Sequence, residues 1–191
     1  MAALVKNEVT VDPNLVVYES IIFGNKAVTK RRMRLEYATE KQKIQWASDI
    51  NPTTFIWSDD DFMAVQNVWP KFVEFVRLLH DNGIILTAGS DLINPWITPG
   101  VAFHRELELL VDSGIPSSEV IKIATRNGAI VLGILDKAGT IEEGRTANLV
   151  IFNADPIMNI SNTKEIYSIM FEGKLFSKVE LDNMLKAKVN N

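Results

Sequence analysis

The chain has 191 residues, 47% hydrophobic and 23% charged, enough apolar material for one large core or one and a half smaller ones. A formal net charge of −4 without any basic block argues against nucleic acid or an anionic membrane as partner, and no apolar run approaches the ~18 residues of a spanning helix. The lack of cysteine excludes disulfides and thiolate metal sites and fits a reducing, cytoplasmic setting, while two histidines, His80 and His104, leave little for a self-contained zinc site. Residues 1–6 lack the charged start and long apolar stretch of a secretory signal.

Residues 9–18 are rich in β-branched side chains and are predicted as a strand ending at Tyr18, with Pro13 near the middle. Its abrupt start leads to the expectation that a preceding element is missing. Residues 26–47 scatter Val28, Met33, Leu35, Ile44 and Trp46 among many charges and read as a solvated helix. Residues 48–57, with Asn51-Pro52, read as a loop. Ser58 followed by Asp59-Asp60-Asp61 is a helix N-cap with acids in the first turn; a metal cluster is the weaker reading, because adjacent carboxylates on a helix point apart. Pro70 is expected to start or kink a helix over 71–80, with Phe72, Val73, Phe75, Val76, Leu78 and Leu79 as its buried face and His80 as a structural residue of its last turn.

Residues 84–91 form an apolar run that closes on small residues and then presents one carboxylate, Asp91. A buried parallel strand delivers a ligand or general base to the mouth of an α/β fold in this way. The flanking segments read as helices, so the order helix, strand, loop, helix belongs to a βαβ series. The loop 92–100 is too apolar for a mere connector. Trp96 and Ile97 are candidates for a pocket wall, or else the loop packs beneath a neighbouring helix or subunit.

A helix over 101–112 carries Phe103, Leu107, Leu110 and Val111 on one face, with His104 near its start facing the site or solvent. Pro116 and Ser117 begin a helical hairpin that ends at Gly133. From Gly139 the period becomes strand-like: a turn over 139–144, a strand over 147–152, and a hairpin of 166–171 with 174–176 across Glu172-Gly173. The last third is therefore antiparallel β followed by a tail that frays from Lys186.

In order and spacing these stretches resemble the carboxy-terminal portion of the metal-dependent amidohydrolases, in the branch of imidazolonepropionase-like enzymes and Xaa-Pro dipeptidases. The likeness rests on Leu79-His80-Asp81-Asn82-Gly83 leading into Thr87-Ala88-Gly89-Ser90-Asp91, Phe103-His104-Arg105-Glu106-Leu107-Glu108, Ala124-Thr125-Arg126-Asn127-Gly128-Ala129 and Gly139-Thr140-Ile141-Glu142-Glu143-Gly144-Arg145 with Ala147-Asn148-Leu149-Val150. Phe171-Glu172-Gly173-Lys174 fits as well, and the likeness runs over about residues 1–176.

The resemblance implies an α/β fold: the last two strands of a (β/α)8 TIM barrel with their helices over 1–138, a segment of a small composite β-sandwich over 139–177, and a C-terminal helix and tail over 178–191. Asp91 would end the eighth strand, hold a divalent metal, most simply zinc, and move a proton from the metal-bound water during hydrolysis of a C–N bond. Tyr18 and Trp96 are candidates for contact with a small amide or peptide-like substrate. The family's remaining metal ligands would all precede residue 1, and His80 and His104 match none of them. Asn148 stands where the family usually carries Asp. The expectation is a fragment, inactive and left without its metal as an isolated chain; the alternative is a non-catalytic assembly module. In either case apolar faces would be covered by homo-oligomerisation or by a complementary N-terminal polypeptide.

Overall fold

The computed structural model describes residues 1–24, 26–47, 57–92 and 94–189. Two sheets of different kind organise them. In the first, strand β1 (Thr10–Val11) pairs in parallel with β2 (Ile85–Leu86), Thr10 opposite Ile85 and Val11 opposite Leu86. Thr87 N–H continues the ladder to Val11 O at 3.0 Å. A short helix α1 (Ala2–Lys6) precedes β1. The strand expected to reach Tyr18 stops at Val11, because Pro13 has no N–H to donate and Asn14 turns left-handed at φ 48°. Leu15, Val16 and Val17 then open helix α2 (Leu15–Ile22), all three buried, so burial outweighs their β propensity.

The crossover to β2 is helical. The single solvated helix expected over 26–47 is instead α3 (Ala27–Arg32), a 3₁₀ turn (Leu35–Tyr37) and α4 (Glu40–Ala47), broken at Arg34 by its φ of 47°. Met33, Ala38 and Trp46 are buried; the surrounding charges hid three anchors. Residues 48–56, predicted as loop, lie outside the described residues. Helix α5 (Asp59–Asp81) starts with the capping box anticipated at Ser58, whose hydroxyl accepts Asp61 N–H at 3.2 Å while Asp61 Oδ2 accepts Ser58 N–H at 2.8 Å. Pro70 neither starts nor breaks it. The helix runs through, held by buried Phe62 on one side of the proline and Val76 and Leu79 on the other. The broad buried face expected from 72 to 79 is narrower than the pattern implied, since Phe72, Phe75 and Leu78 are exposed.

After β2, helix α6 (Val101–Asp112) buries Ala102, Leu107, Leu109 and Leu110. The expected helical hairpin is one helical run, α7 (Ser117–Lys122), a π-type turn (Ile123–Asn127) and α8 (Gly128–Val131). Leu15, Met33, Leu79, Leu86, Ile97, Leu110, Ile115 and Val120 belong to one continuous core.

The second sheet is antiparallel, β3 (Leu149–Phe152), β4 (Ile166–Phe171) and β5 (Lys174–Ser177) in the order β3-β4-β5. Its hairpin turns on Glu172 (φ 50°) and Gly173 (φ 80°), the two left-handed residues that a two-residue loop matching strand twist requires. Asn148 Oδ1 accepts Glu172 N–H at 2.7 Å and ties β3 to that turn. A 3₁₀ segment (Ile160–Lys164) docks the sheet on α6 through buried Ile160 and Thr163. Helix α9 (Lys178–Val189) closes the described chain and extends past Lys186, where fraying was expected. Among the described residues, no helix is long and apolar enough to cross a membrane.

Candidate functional site

Because β1 and β2 run in parallel, the residues that follow both strands emerge at one end. Asp12 follows Val11 there, and Thr87-Ala88-Gly89-Ser90-Asp91 follows Leu86. Such a strand end is where α/β folds place ligands. Asn127 Nδ2, from the π-type turn, donates to Leu86 O at 2.9 Å and anchors β2 just before the loop. Asp91 is exposed and left-handed at φ 47°, and its carbonyl accepts both N–H (3.0 Å) and Nδ2 (3.1 Å) of Asn94. A non-glycine residue is placed in this conformation only at a cost, so the turn at Asp91 is held by its surroundings.

Asp12 went unremarked in the sequence reading, yet it faces this loop. Although the residue is exposed, desolvation of its carboxyl raises it above the usual carboxylate range, with the Asp91 charge adding to that; the N–H groups of Gly89 and Asn14 and the Thr87 hydroxyl pull the other way. Gly89 leaves room for the Asp12 and Asn14 side chains, which would have to shift for any larger residue. A Cβ there would meet Asn14 Oδ1 at 2.7 Å and Asp12 Oδ2 closer still. The rule that singled out Asp91, a carboxylate just past an apolar strand, applies equally to Asp12. It was missed because the strand was extended through it.

The other two site candidates sit elsewhere. Tyr18 is on α2 rather than at a strand end, and its ring packs on Phe72 of α5 with centroids 5.4 Å apart. Trp96, left-handed at φ 66°, lies half-buried with its ring 6.0 Å from Trp46 of α4, and neighbouring Ile97 is fully buried in the core. Loop 94–100 thus packs beneath a helix, the alternative that its apolar sequence allowed.

Neither histidine turns to this site. His80 Nδ1 lies 3.3 Å from Asp81 Oδ1. His104 Nδ1 lies 3.0 Å from Thr163 Oγ1, which spends its own proton on Ile160 O, so the ring donates. Burial, then the Lys164 charge, holds His104 below the usual histidine range. The acidic trio caps its helix: hydrogen bonds from Ser58 hold Asp61 below the usual carboxylate range. Among the described residues no group of three or more His, Cys, Asp or Glu could hold a metal ion, so these residues alone do not make a metal centre.

A parallel strand pair with carboxylates at its carboxyl end, wrapped in helices and followed by an antiparallel sheet, defines an α/β protein with a candidate site at that strand end. The chain belongs to the Amidohydrolase family, whose sequence model matches residues 63–176, more than half of its length. No curated protein matches it. The fold is similar to a bottromycin amidohydrolase (21% identity, TM-score 0.67, 83% of this chain and 35% of that one). It is also similar to an Xaa-Pro dipeptidase with bound methionine (23%, TM-score 0.54, 78% and 34%). A prolidase complexed with N-methylphosphonate-L-proline is similar as well (18%, TM-score 0.52, 74% and 33%). The chain therefore spans about a third of the length of these solved relatives.

Proposed function

We propose that this chain supplies the last two strands, β1 and β2, of a (β/α)8 barrel in an amidohydrolase that hydrolyses a C–N bond in a small amide, cyclic amide or dipeptide. The observation that carries the reading is the parallel pairing of β1 and β2, which sets the Asp91 loop at a strand end within a chain of this family. Asp91 is the proposed metal ligand and proton carrier, with zinc as the expected metal and the remaining ligands outside these residues. Tyr18 and Trp96 remain the proposed substrate contacts. The likeness to a prolidase and an Xaa-Pro dipeptidase makes proline-containing dipeptides the first substrates to try.

The isolated chain with added zinc or manganese should not turn over Xaa-Pro dipeptides or N-acyl amino acids. Joined to a polypeptide that supplies the other barrel strands, with a His-x-His after the first of them, it should do so and lose the activity in Asp91→Ala. A metal-loaded joined protein without turnover would sink the hydrolase reading. Turnover by the isolated chain, abolished in Asp91→Ala, would sink its inactivity. A second reading, an assembly module that self-associates, is favoured by the apolar row Val68, Phe72, Phe75 and Leu78 exposed along α5. Light scattering on the eluting chain should then give more than a monomer, and a monomer without dye-binding surface would count against it.

A further inference from the structure

Glu106 on α6 is fully buried, and the chemistry proposed above makes no use of it. Its Oε2 accepts the N–H of Val16 at 2.7 Å, and its Oε1 has no hydrogen-bond partner. Glutamate is rarely buried without a task, since an unpaired polar oxygen taken out of water is costly. The far end of the bond shows the task. Helix α2 starts behind Asn14, whose left-handed backbone leaves the helix with no side-chain cap of its own. Glu106, 90 residues further along the chain, supplies the acceptor that the local sequence withholds. The turn entering that helix, Asp12-Pro13-Asn14, is the same turn whose Asp12 carboxyl takes the N–H of Gly89, two residues before Asp91, and whose side chains leave no room for a Cβ there.

We infer that Glu106 is a positioning residue for the Asp91 loop: by capping α2 from α6, it fixes the 12–14 turn on which Gly89 is seated. The inference rests on the proposed role of Asp91 for its functional meaning, but its geometry stands without that role. The path runs from α6 to the α2 cap by the Val16 N–H bond, along the chain to the 12–14 turn, and on to Gly89 by its N–H bond to Asp12.

The test is hydrogen–deuterium exchange, read by mass spectrometry on the full chain, in Glu106→Leu, Glu106→Asp, Glu106→Gln and the core control Leu110→Ala. In Glu106→Leu, exchange over residues 12–18 and 84–92 should rise roughly tenfold relative to 149–177, the scale of a lost cap opening a local unit. Glu106→Gln should restore protection, because its amide carbonyl can still accept from Val16. Leu110→Ala should loosen the chain without that selectivity. If Glu106→Leu does not fold, Glu106→Asp, one methylene shorter, should show the same selective rise in smaller degree. Unchanged protection of 84–92 in the Leu and Asp variants would overturn the inference, as would loosening in Glu106→Gln equal to that in Glu106→Leu. The turnover assay scores Asp91 separately: an inactive joined protein alongside selective loosening here would remove the hydrolase reading and leave the positioning role intact.

Discussion

The helical region and the terminal sheet of this chain are held together by different forces. Around β1 and β2, large side chains such as Leu15, Met33, Leu79, Ile97 and Leu110 are fully buried, and buried Glu19 is paired there with Arg105. In the sheet, Val150 is 47% exposed, Tyr167 61%, Phe171 55% and Leu175 52%; Ser168 is the only described strand residue that is buried, and its hydroxyl has no hydrogen-bond partner. The sheet is stabilised by its backbone ladder and by a seam on α6, whereas the helical region is stabilised by burial. Stability changes in the two regions should therefore differ in size for equally large side chains.

The largest effect is expected where the helical region commits a charge. Arg105 on α6 donates to Glu19 of α2 through Nη2 (2.7 Å) and Nε (2.9 Å), and through Nη1 to Glu108 at 3.2 Å. Burial pulls its ionisation down, but the Glu19 and Glu108 carboxylates more than offset this and hold it above the ordinary arginine value. Glu108 in turn pairs with Lys164 and accepts from Ser161 at 2.7 Å, so the same guanidinium reaches the seam under the sheet. Arg105→Ala would strand the nearly buried Glu19 with Arg32 alone at 3.3 Å. It should lose about 3–5 kcal/mol of stability. Tm by circular dichroism should fall by roughly 10 °C, and Arg105→Lys should recover little because an ammonium cannot make the paired contact. An Arg105→Ala chain that melted like the wild type would show that burial alone holds the helical region.

How much of this was legible in the sequence depended on whether the decisive force was local. The Ser58 cap, the Glu172-Gly173 turn and the carboxylate after 84–86 were readable because each is a short-range rule written in adjacent residues. The end of β1 was not. Val16 and Val17 favour strands locally, and only the core they enter makes them helical. Trp46 and Met33 were hidden in charged surroundings for the same reason, as their partners lie far along the chain. Glu106 could not have been distinguished from Glu108 by pattern, because what separates them is a bond to a backbone N–H 90 residues away. Phe72, Phe75 and Leu78 show the converse, an apolar face that a helical period announces and that stays exposed, with Tyr18 packed on Phe72.

A smaller effect separates the regions by pH. Burial, against hydrogen bonds from Val16 and Leu15 and with the charges of Asp12 and Glu19 adding to it, pushes Glu106 from 4.5 up to about 7. The folded state then keeps a proton that the unfolded state releases near the ordinary value. The contribution is complete below the unfolded value and is lost as pH rises through about 7. Asp12, also raised, slopes the same way; Glu108, which is lowered despite burial, slopes the other way. The difference between wild type and Glu106→Gln isolates the one group. Urea titrations should find wild-type stability declining relative to Glu106→Gln by roughly 1–3 kcal/mol across that interval, with no change in the denaturant slope. Parallel curves would mean that the carboxyl is ionised throughout and that its cap is a full charge.

The smallest effect belongs to the sheet. Tyr167 stands in the central strand β4, yet it is 61% exposed. Its replacement by serine removes little area that folding takes out of water, so Tyr167→Ser should shift stability by no more than about 0.5 kcal/mol in the same titration. The measurement is most informative at low and high protein concentration together. If the loss exceeded about 1 kcal/mol and grew with wild-type concentration, that face of the sheet would be covered by another chain in solution. The contrast between the two regions would then concern where their partners lie: within this chain for the helices, and beyond it for the sheet.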